Sequence, residues 1–413
     1  MRIKSSKRQS SFSVAEKLVL VLLLLSFAGF NDYSIPLILL AFLVLVFIKQ
    51  RLNIPVGIIP PLLLTIGMFF SLRSLAFSSI TLKLVWPAAY LLGYEMMRGS
   101  RATTQDFETR EKRINVCILI ATTGFLIHLL LNLWINYQTG GLGLGRDTID
   151  FWTKSVIVAT GQAGLACIPM GWCVAYLFNT KKLISKIGVL AVMVVMLYYN
   201  LTLASRTIIY SMLVLFGVSL LFLLVQNKDS GPKSSVVMTL TIVALVIIVV
   251  YVGNFWGVRT LVENSILMER LTGGSASDVI NDTRWHRKMQ FLRLMPQHLT
   301  GGSGIRRAVG GYAHDILLDT YDAYGPLAFV AVIAILWDSI AKALRLLKLP
   351  TVSSDTKRTV LCIYVSCLIV FTVEPVLQGL PWLLMSYCFI HGMITGYITK
   401  KESTRKIEQN ENA

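Results

Sequence analysis

The chain has 413 residues and a formal net charge of +17, yet only 15% of its residues are charged and 54% are hydrophobic. A soluble protein would carry roughly 25% charged residues, so this composition excludes a soluble enzyme, a disordered protein and a disulfide-rich scaffold. It predicts a polytopic membrane protein. The positive charge need not indicate nucleic acid, because basic loops on the inner face and an anionic ligand would also explain it.

Twelve apolar segments predict membrane-spanning helices, each long enough or nearly so for a hydrocarbon core of about 30 Å. A basic N-terminus precedes the first segment, and we interpret that segment as an uncleaved span rather than a signal peptide because no small-residue cleavage site follows. The whole chain, 1–413, is therefore predicted to be one all-α membrane domain. The predicted spans are 14–30, 33–48, 54–71, 79–97, 114–136, 157–178, 187–204, 207–226, 236–256, 325–341, 359–376 and 382–398.

The distribution of Lys and Arg predicts the orientation of these spans. If both termini are cytoplasmic, every inner loop is basic, whereas the short outer turns at Asn31–Asp32 and Gln378–Pro381 carry no cation. This is the asymmetry that the positive-inside rule requires.

One predicted outer loop, residues 257–324, departs from that rule. Arginine is suited to bidentate phosphate contacts, so a strongly basic outer loop predicts an anionic partner at the outer surface. The alternatives are a solvated loop or a contact with anionic lipid headgroups. The loop contains eight cations, namely Arg259, Arg270, Arg284, Arg287, Lys288, Arg293, Arg306 and Arg307.

The same loop contains a glycine-rich stretch, Gly301–Gly304, and then His314. The glycines predict a flexible turn with exposed backbone N–H groups. His314 precedes a stretch with nearly helical apolar spacing, which predicts a helix start that keeps the imidazole available as a general base. We interpret the other histidines as packed polar residues (His128 and His391) or plain surface residues (His286 and His298).

Three further polar residues lie near predicted outer helix ends. Lys83, close to the outer end of the fourth span, would extend to the surface or line a groove for a lipid phosphate, and we favour the first. Glu374 and Gln378 flank Pro375 and would either close a polar cavity or serve in capping and turns. The cysteines are expected to be small buried hydrophobic residues, since their spacing suggests no metal site.

Three segments together resemble the bacterial O-antigen ligase and O-antigen polymerase superfamily. Leu201–Arg206 is similar to the family's Ser/Thr-Arg pair at an outer helix end. Thr283–Pro296 together with Gly302–Gly304 is similar to the family's stretch of an Arg, then a Pro, then a GxG sequence. Ala313–Gly325 is similar to its His-Asn motif followed by a Gly. Asp315 departs from the usual Asn, which either adds a carboxylate beside the base or replaces a hydrogen-bonding role.

The resemblance implies a fold like that of GT-C-type glycosyltransferases and a donor glycan on undecaprenyl diphosphate, with no cofactor and no metal. Arg206 and Arg284 would bind the diphosphate, and His314 would accept a proton from the acceptor hydroxyl, with inversion at the anomeric carbon. Further candidates for contact with phosphate or glycan are Arg287, Arg293, Arg306, Arg307, Trp285, Tyr312, Asp315 and Lys83.

Two functions share this chemistry. A ligase would transfer the finished glycan to lipid A–core during lipopolysaccharide biosynthesis in the bacterial inner membrane, and one dominant outer loop favours this function. A polymerase would use a lipid-linked repeat unit as acceptor, and it often has an Arg and a Gly eleven positions apart, as Arg293 and Gly304 are. A flippase for lipid-linked sugars is the alternative from another class, and it would favour internal repeats and ionisable groups at mid-membrane.

Overall fold

The computed structural model describes residues 12–71, 77–98, 106–140, 147–203, 205–226, 249, 252–254, 258–263 and 283–411. These residues are almost entirely helical, apart from one short antiparallel hairpin formed by β1 (Asp147–Ile149) and β2 (Val156–Val158). The protein is an all-α membrane protein.

Among the described residues, eight α-helices lie before the basic loop, and their bounds follow the apolar segments of the sequence. They are α1 (Val14–Phe27), α2 (Ser34–Lys49), α3 (Ile59–Phe70), α4 (Phe77–Arg98), α5 (Asp106–Gln138), α6 (Ala159–Asn179), α7 (Leu183–Thr202) and α8 (Arg206–Gln226).

The basic loop contains short helices, and longer helices follow it. The described helices from this part of the chain are α9 (Val258–Glu263), α10 (Thr283–Leu294), α11 (Gly304–Val309), α12 (Ile316–Tyr324), α13 (Pro326–Lys348), α14 (Ser354–Val373), α15 (Val376–Gly379) and α16 (Pro381–Glu411).

The predicted spans coincide with helices wherever the structure describes them, and the ninth span, 236–256, lies almost entirely outside the described residues. Five described helices, α5, α6, α7, α13 and α14, are long and apolar enough to cross a membrane. Three shorter apolar helical stretches are also described, namely Ser34–Lys49, Val56–Phe70 and Thr207–Leu223. The number of twelve spans therefore stays a prediction.

Helices α4 and α16 approach each other closely because glycines line their contact. A Cβ on Gly392 would lie 1.9 Å from the carbonyl oxygen of Tyr90, and one on Gly93 would lie 2.0 Å from that of Phe389. Gly396, one turn beyond Gly392, has the same close relation to α4. Small residues at this spacing allow the backbones of membrane helices to pack directly against each other.

The hairpin is attached to α5 by polar side chains that recur every fourth residue. His128 lies 2.7 Å from the carboxylate of Asp150, so it is the packed polar residue that the sequence predicts. The side-chain oxygens of Asn132 and Asn136 accept hydrogen bonds from the backbone N–H groups of Phe151 and Ile149. This docks the hairpin on the end of the bundle where α8 begins and α14 ends, called the site end below.

Gly392→Ala should destabilise the protein, because the new methyl group overlaps a backbone carbonyl and α4 and α16 must separate. Overpacking of this kind costs about 1–3 kcal/mol or more. Gly217→Ala is the matched control, since Gly217 lies in α8 with nothing within 4 Å of its Cβ position. Thermal unfolding in detergent should show a lower Tm for the first variant and an unchanged or slightly higher Tm for the second. Equal Tm values would contradict the close packing.

Candidate functional site

One buried carboxylate joins three separate segments of the chain at the site end. Glu374 ends α14 and is 1% exposed. Its Oε1 accepts a hydrogen bond from the hydroxyl of Thr207 at 2.9 Å. Its Oε2 lies 3.7 Å from Nδ1 of His314 and 4.0 Å from Nη2 of Arg284. These four residues are called the Glu374 cluster below.

Arg206 begins α8, directly before Thr207 of the cluster. Its side chain lies outside what the structure describes, so its predicted contact with a diphosphate stays a prediction. The hydrogen bond from Thr207 to Glu374 nevertheless brings the start of α8 to the cluster. A helix N-terminus presents unpaired N–H groups and partial positive charge, which favours an anion.

Two cations of α10 contact the C-terminal end of α14. Arg284 donates from Nη1 to the carbonyl oxygen of Val373 at 3.1 Å, and Lys288 donates to that of Thr372 at 2.6 Å. The two residues are four apart, so they lie on the same face of α10. Helix C-termini have unpaired carbonyls and partial negative charge, which explains why basic side chains dock there. This contact holds Arg284 beside Glu374.

A second buried carboxylate fixes the backbone on both sides of His314. Asp319 accepts hydrogen bonds from the N–H groups of Ala313 at 2.8 Å and Asp315 at 3.0 Å. His314 lies between them with a φ of 57°, in the left-handed region. A non-glycine residue in this region costs of order 1 kcal/mol and persists only when its surroundings hold it there. Asp319 is thus a positioning residue for His314.

Asp315 has a hydrogen-bonding role in this structure. It is the N-cap of α12, and its carboxylate accepts hydrogen bonds from the N–H groups of Leu317 and Leu318. It also lies 3.2 Å from the ammonium group of Lys288. Its departure from the usual Asn therefore preserves an acceptor and adds an ion pair to α10.

Among the described residues, three buried polar atoms in this region have no hydrogen-bond partner: Nδ1 of His314, Oε2 of Glu374 and Oε1 of Gln378. Gln378 is attached through its amide nitrogen to the carbonyl oxygen of Asp319, at 3.0 Å. Buried polar atoms are nearly always paired, so this region has hydrogen-bonding capacity for a polar ligand. The His314–Glu374 distance of 3.7 Å exceeds that of a hydrogen bond.

The sequence predicts that the glycine-rich stretch exposes its backbone N–H groups, but those of Gly302 and Ser303 are hydrogen-bonded. The N–H groups of Ile305 and Arg306 donate to the buried carboxylate of Asp322, at 2.8 and 3.3 Å. Those of Gly302 and Ser303 donate to backbone carbonyl oxygens of α12. The glycines instead allow a tight turn, since the φ of Gly301 is 74° and a Cβ there would lie 2.7 Å from a backbone nitrogen.

Two predicted arginines are turned to other contacts. Arg307 donates to the carbonyl oxygens of Ser303 and Gly302, both at 3.2 Å, and so stabilises the glycine-rich turn. Arg293 lines a surface depression together with Gln290, Leu294, Ala308 and Val309. None of the residues lining that depression belongs to the Glu374 cluster.

Arg287 and Arg306 each lie against the segment that leads to His314, at Gly311 and at Tyr312 respectively. A Cβ on Gly311 would be 3.2 Å from Nη1 of Arg287. The guanidinium carbon of Arg306 lies 4.7 Å from the ring centroid of Tyr312, and its Nη1 donates to the Tyr312 hydroxyl. Trp285 is 58% exposed on α10.

Lys83 does not extend to the surface as predicted. It is 3% exposed, and its ammonium group lies 4.8 Å from the ring centroid of Phe69. The electrostatic attraction between the cation and the aromatic face favours this inward position.

The sequence left the role of Glu374 open and did not identify Thr207 or Asp319 as site residues. Glu374 had a usable signal, an acidic residue before Pro375 at the end of an apolar span. Asp319 had a weaker one, four residues after Asp315 on one helix face. Comparison with protein-family models and with curated proteins found no match to this chain. The residues themselves therefore carry the functional inference.

Asp319→Asn should change how the stability of the protein depends on pH. Burial raises the pKa of Asp319 to about 6, against the opposing effect of the N–H groups of Asp315 and Ala313 and of His314. An unfolded Asp titrates at about 3.9. The folded state therefore binds the proton of the Asp319 carboxyl more tightly than the unfolded state does. Protonation of Asp319 adds to the free energy of unfolding fully below pH about 3.9, and this contribution is lost as the pH rises through about 6.

Asparagine cannot ionise, so residue 319 of the variant makes no pH-dependent contribution to the free energy of unfolding. Relative to the variant, the wild type should lose about 1–2 kcal/mol of stability between about pH 5 and about pH 8. Thermal unfolding of both proteins at the two pH values measures it. A difference in Tm that does not change with pH would show that Asp319 does not titrate in this range.

Proposed function

We propose that this protein is a membrane glycosyltransferase that moves a glycan from undecaprenyl diphosphate to an acceptor sugar hydroxyl on the outer face of the cytoplasmic membrane. The observation that carries the proposal is the meeting of the start of α8, Arg284 and His314 around the carboxylate of Glu374. These are the three places at which the resemblance to the O-antigen ligase and polymerase superfamily puts the catalytic residues.

In the proposed reaction, Arg284 and the start of α8 bind the diphosphate and stabilise the charge that develops as it leaves. His314 accepts the proton of the acceptor hydroxyl while the oxygen of that hydroxyl attacks the anomeric carbon of the donor glycan. The bond from that carbon to the phosphate oxygen breaks, and polyprenyl diphosphate departs with the electron pair. Glu374 orients the imidazole and stabilises the imidazolium, a positioning role like that of the carboxylate in catalytic triads.

Ligase is the form of this function that we favour, with lipid A–core as acceptor. The spacing of Arg293 and Gly304 is the feature that favours a polymerase. Arg293 lines a depression formed with α11 residues, and Gly304 begins α11 against His298. This spacing therefore adds no residue to the Glu374 cluster, and it gives the polymerase no support beyond the sequence.

One contact favours the alternative of a transporter. Asp338 on α13 and His391 on α16 lie 3.0 Å apart, well inside two apolar helices. Ionisable pairs at such a depth occur on proton and substrate pathways. The start of α16 at Pro381 lies near the Glu374 cluster, whereas His391 lies ten residues further along that helix. Because the two groups are at different places, substitutions at each test the two functions separately.

His314→Ala should abolish glycan transfer without removing the protein from the membrane, because the general base is lost and the fold is not. The test is deletion of the gene in the bacterium that encodes it, complemented with wild type, His314→Ala or His286→Ala. His286 is an exposed residue of α10 and serves as the control. Surface polysaccharide and the lipid-linked pool are then compared on one gel.

The pattern of products distinguishes the functions. Long polymer held on undecaprenyl diphosphate, with bare core on the surface, identifies a ligase. Single repeat units without long chains identify a polymerase. Normal glycan in both pools, or full complementation by His314→Ala, would contradict the proposed function.

A further inference from the structure

Helix α10 carries an exposed apolar stripe. Trp285 and Leu292 are 58% and 48% exposed, and Met289 between them is half-buried. Residues three and four apart lie on the same face of a helix, so these three side chains form one continuous stripe. The small core next to α10 contains Phe291 instead, which is fully buried. The stripe is therefore apolar surface that this packing leaves uncovered.

The segment from Arg284 to Leu299 is attached at both of its ends to the boundary of a candidate membrane span. Arg284 and Lys288 donate hydrogen bonds to the carbonyl groups of the last two residues of α14. A Cβ on Gly325, the residue before α13, would lie 3.4 Å from the carbonyl oxygen of Leu299. Helices α13 and α14 are both long and apolar enough to cross a membrane. The stripe therefore lies close to the level of the membrane surface.

Exposed apolar surface continues from this segment onto α13. Leu299 is itself 63% exposed, and its backbone lies beside Gly325. Exposed apolar side chains then recur at helical spacing along one face of α13, namely Leu327, Val330, Ile333, Trp337, Ile340 and Leu344. Exposed apolar patches of this size mark contacts with a membrane or with another protein. Since α13 can cross the membrane, lipid is what its apolar face contacts, and the stripe of α10 lies at the end of that face.

The charges of α10 favour lipid over a second copy of the chain as the partner of the stripe. The helix contains four Arg or Lys residues and no acidic residue. On the helical wheel, Lys288 borders the stripe on one side and Arg293 on the other. Helices that lie in a membrane surface combine an apolar face with cations in this way, and Trp is enriched at the level of the headgroups. A symmetric dimer would place two such basic faces against each other, which like-charge repulsion disfavours.

We propose that α10 is an interfacial helix whose Trp285, Met289 and Leu292 are inserted in the lipid bilayer at the site end. The apolar face of such a helix reaches about 5–10 Å into the boundary between headgroups and acyl chains. Arg284 lies on the same helix and beside Glu374, so insertion of the stripe fixes the depth of the Glu374 cluster in the membrane. This lipid contact is independent of the transfer reaction proposed above.

Leu292→Cys, labelled with a fluorophore, reports where the stripe lies when the full-length protein is in vesicles of phosphatidylethanolamine and phosphatidylglycerol. All six native cysteines are buried, so the introduced thiol reacts selectively, and wild type treated with the same reagent gives the background. Quenching by a nitroxide on a lipid acyl chain is compared with quenching by iodide in the water. Gln290→Cys is the matched control, because two residues correspond to about 200° of helical turn and Gln290 lines the surface depression instead.

The lipid nitroxide should quench the label at Leu292 at least about twofold more strongly than the label at Gln290, and iodide should show the reverse order. This difference should persist in about 1 M salt, where the Debye length is about 3 Å, because apolar insertion is not screened.

Three outcomes would overturn the proposal. Equal quenching at Leu292 and Gln290 would show that the stripe is not inserted. A difference that disappears in high salt would indicate attraction to headgroups alone. A label at Leu292 that neither quencher reaches would show that protein covers the stripe, for example a second copy of the chain.

Discussion

A buried carboxylate without compensation is strongly unfavourable, and this constraint organises the site end of the protein around Glu374. Taking a charge out of water costs several kcal/mol unless cations and hydrogen bonds replace the lost hydration. Here Thr207 donates a hydrogen bond to Oε1, while Arg284 and His314 approach Oε2 at 4.0 and 3.7 Å, and these three residues are far apart in the sequence. Satisfying one charge therefore requires α8, α10 and the loop before α12 to assemble at the end of α14.

The surrounding contacts explain why this assembly is specific. Basic residues of α10 dock on the carbonyl groups that end α14, so the same helix end that presents Glu374 also attracts its cationic partners. Asp319 fixes the strained backbone of His314, and Asp322 fixes the neighbouring glycine-rich turn. Asp319 and Asp322 of α12 thus accept hydrogen bonds from backbone N–H groups. Glu374 instead lies beside the side chains of Arg284 and His314.

Hydropathy predicts the helices because a membrane span must be a continuous apolar segment, and α1 to α8, α13, α14 and α16 follow that pattern. The close packing at Gly392 could not be read in the same way, because it depends on which helix lies opposite. The same holds for two hydrogen bonds, that of Glu374 with Thr207 and that of the Gly302 N–H with Ala323, because in each the partner is distant in the sequence. Lys83 shows the same limit, since its contact with the ring of Phe69 joins two different helices.

The most direct test of the central interaction is the rate at which detergent-solubilised protein transfers glycan from undecaprenyl diphosphate, compared between wild type and Glu374→Gln. In detergent there are no two membrane faces to transport a substrate between, so a glycosidic product can arise only from glycosyl transfer. We expect the wild type to form a glycosidic product and the variant, which keeps the shape but loses the charge, to be at least tenfold slower. No product from the wild type, or equal rates from both proteins, would contradict the assignment of a carboxylate-supported glycosyl transfer to this site.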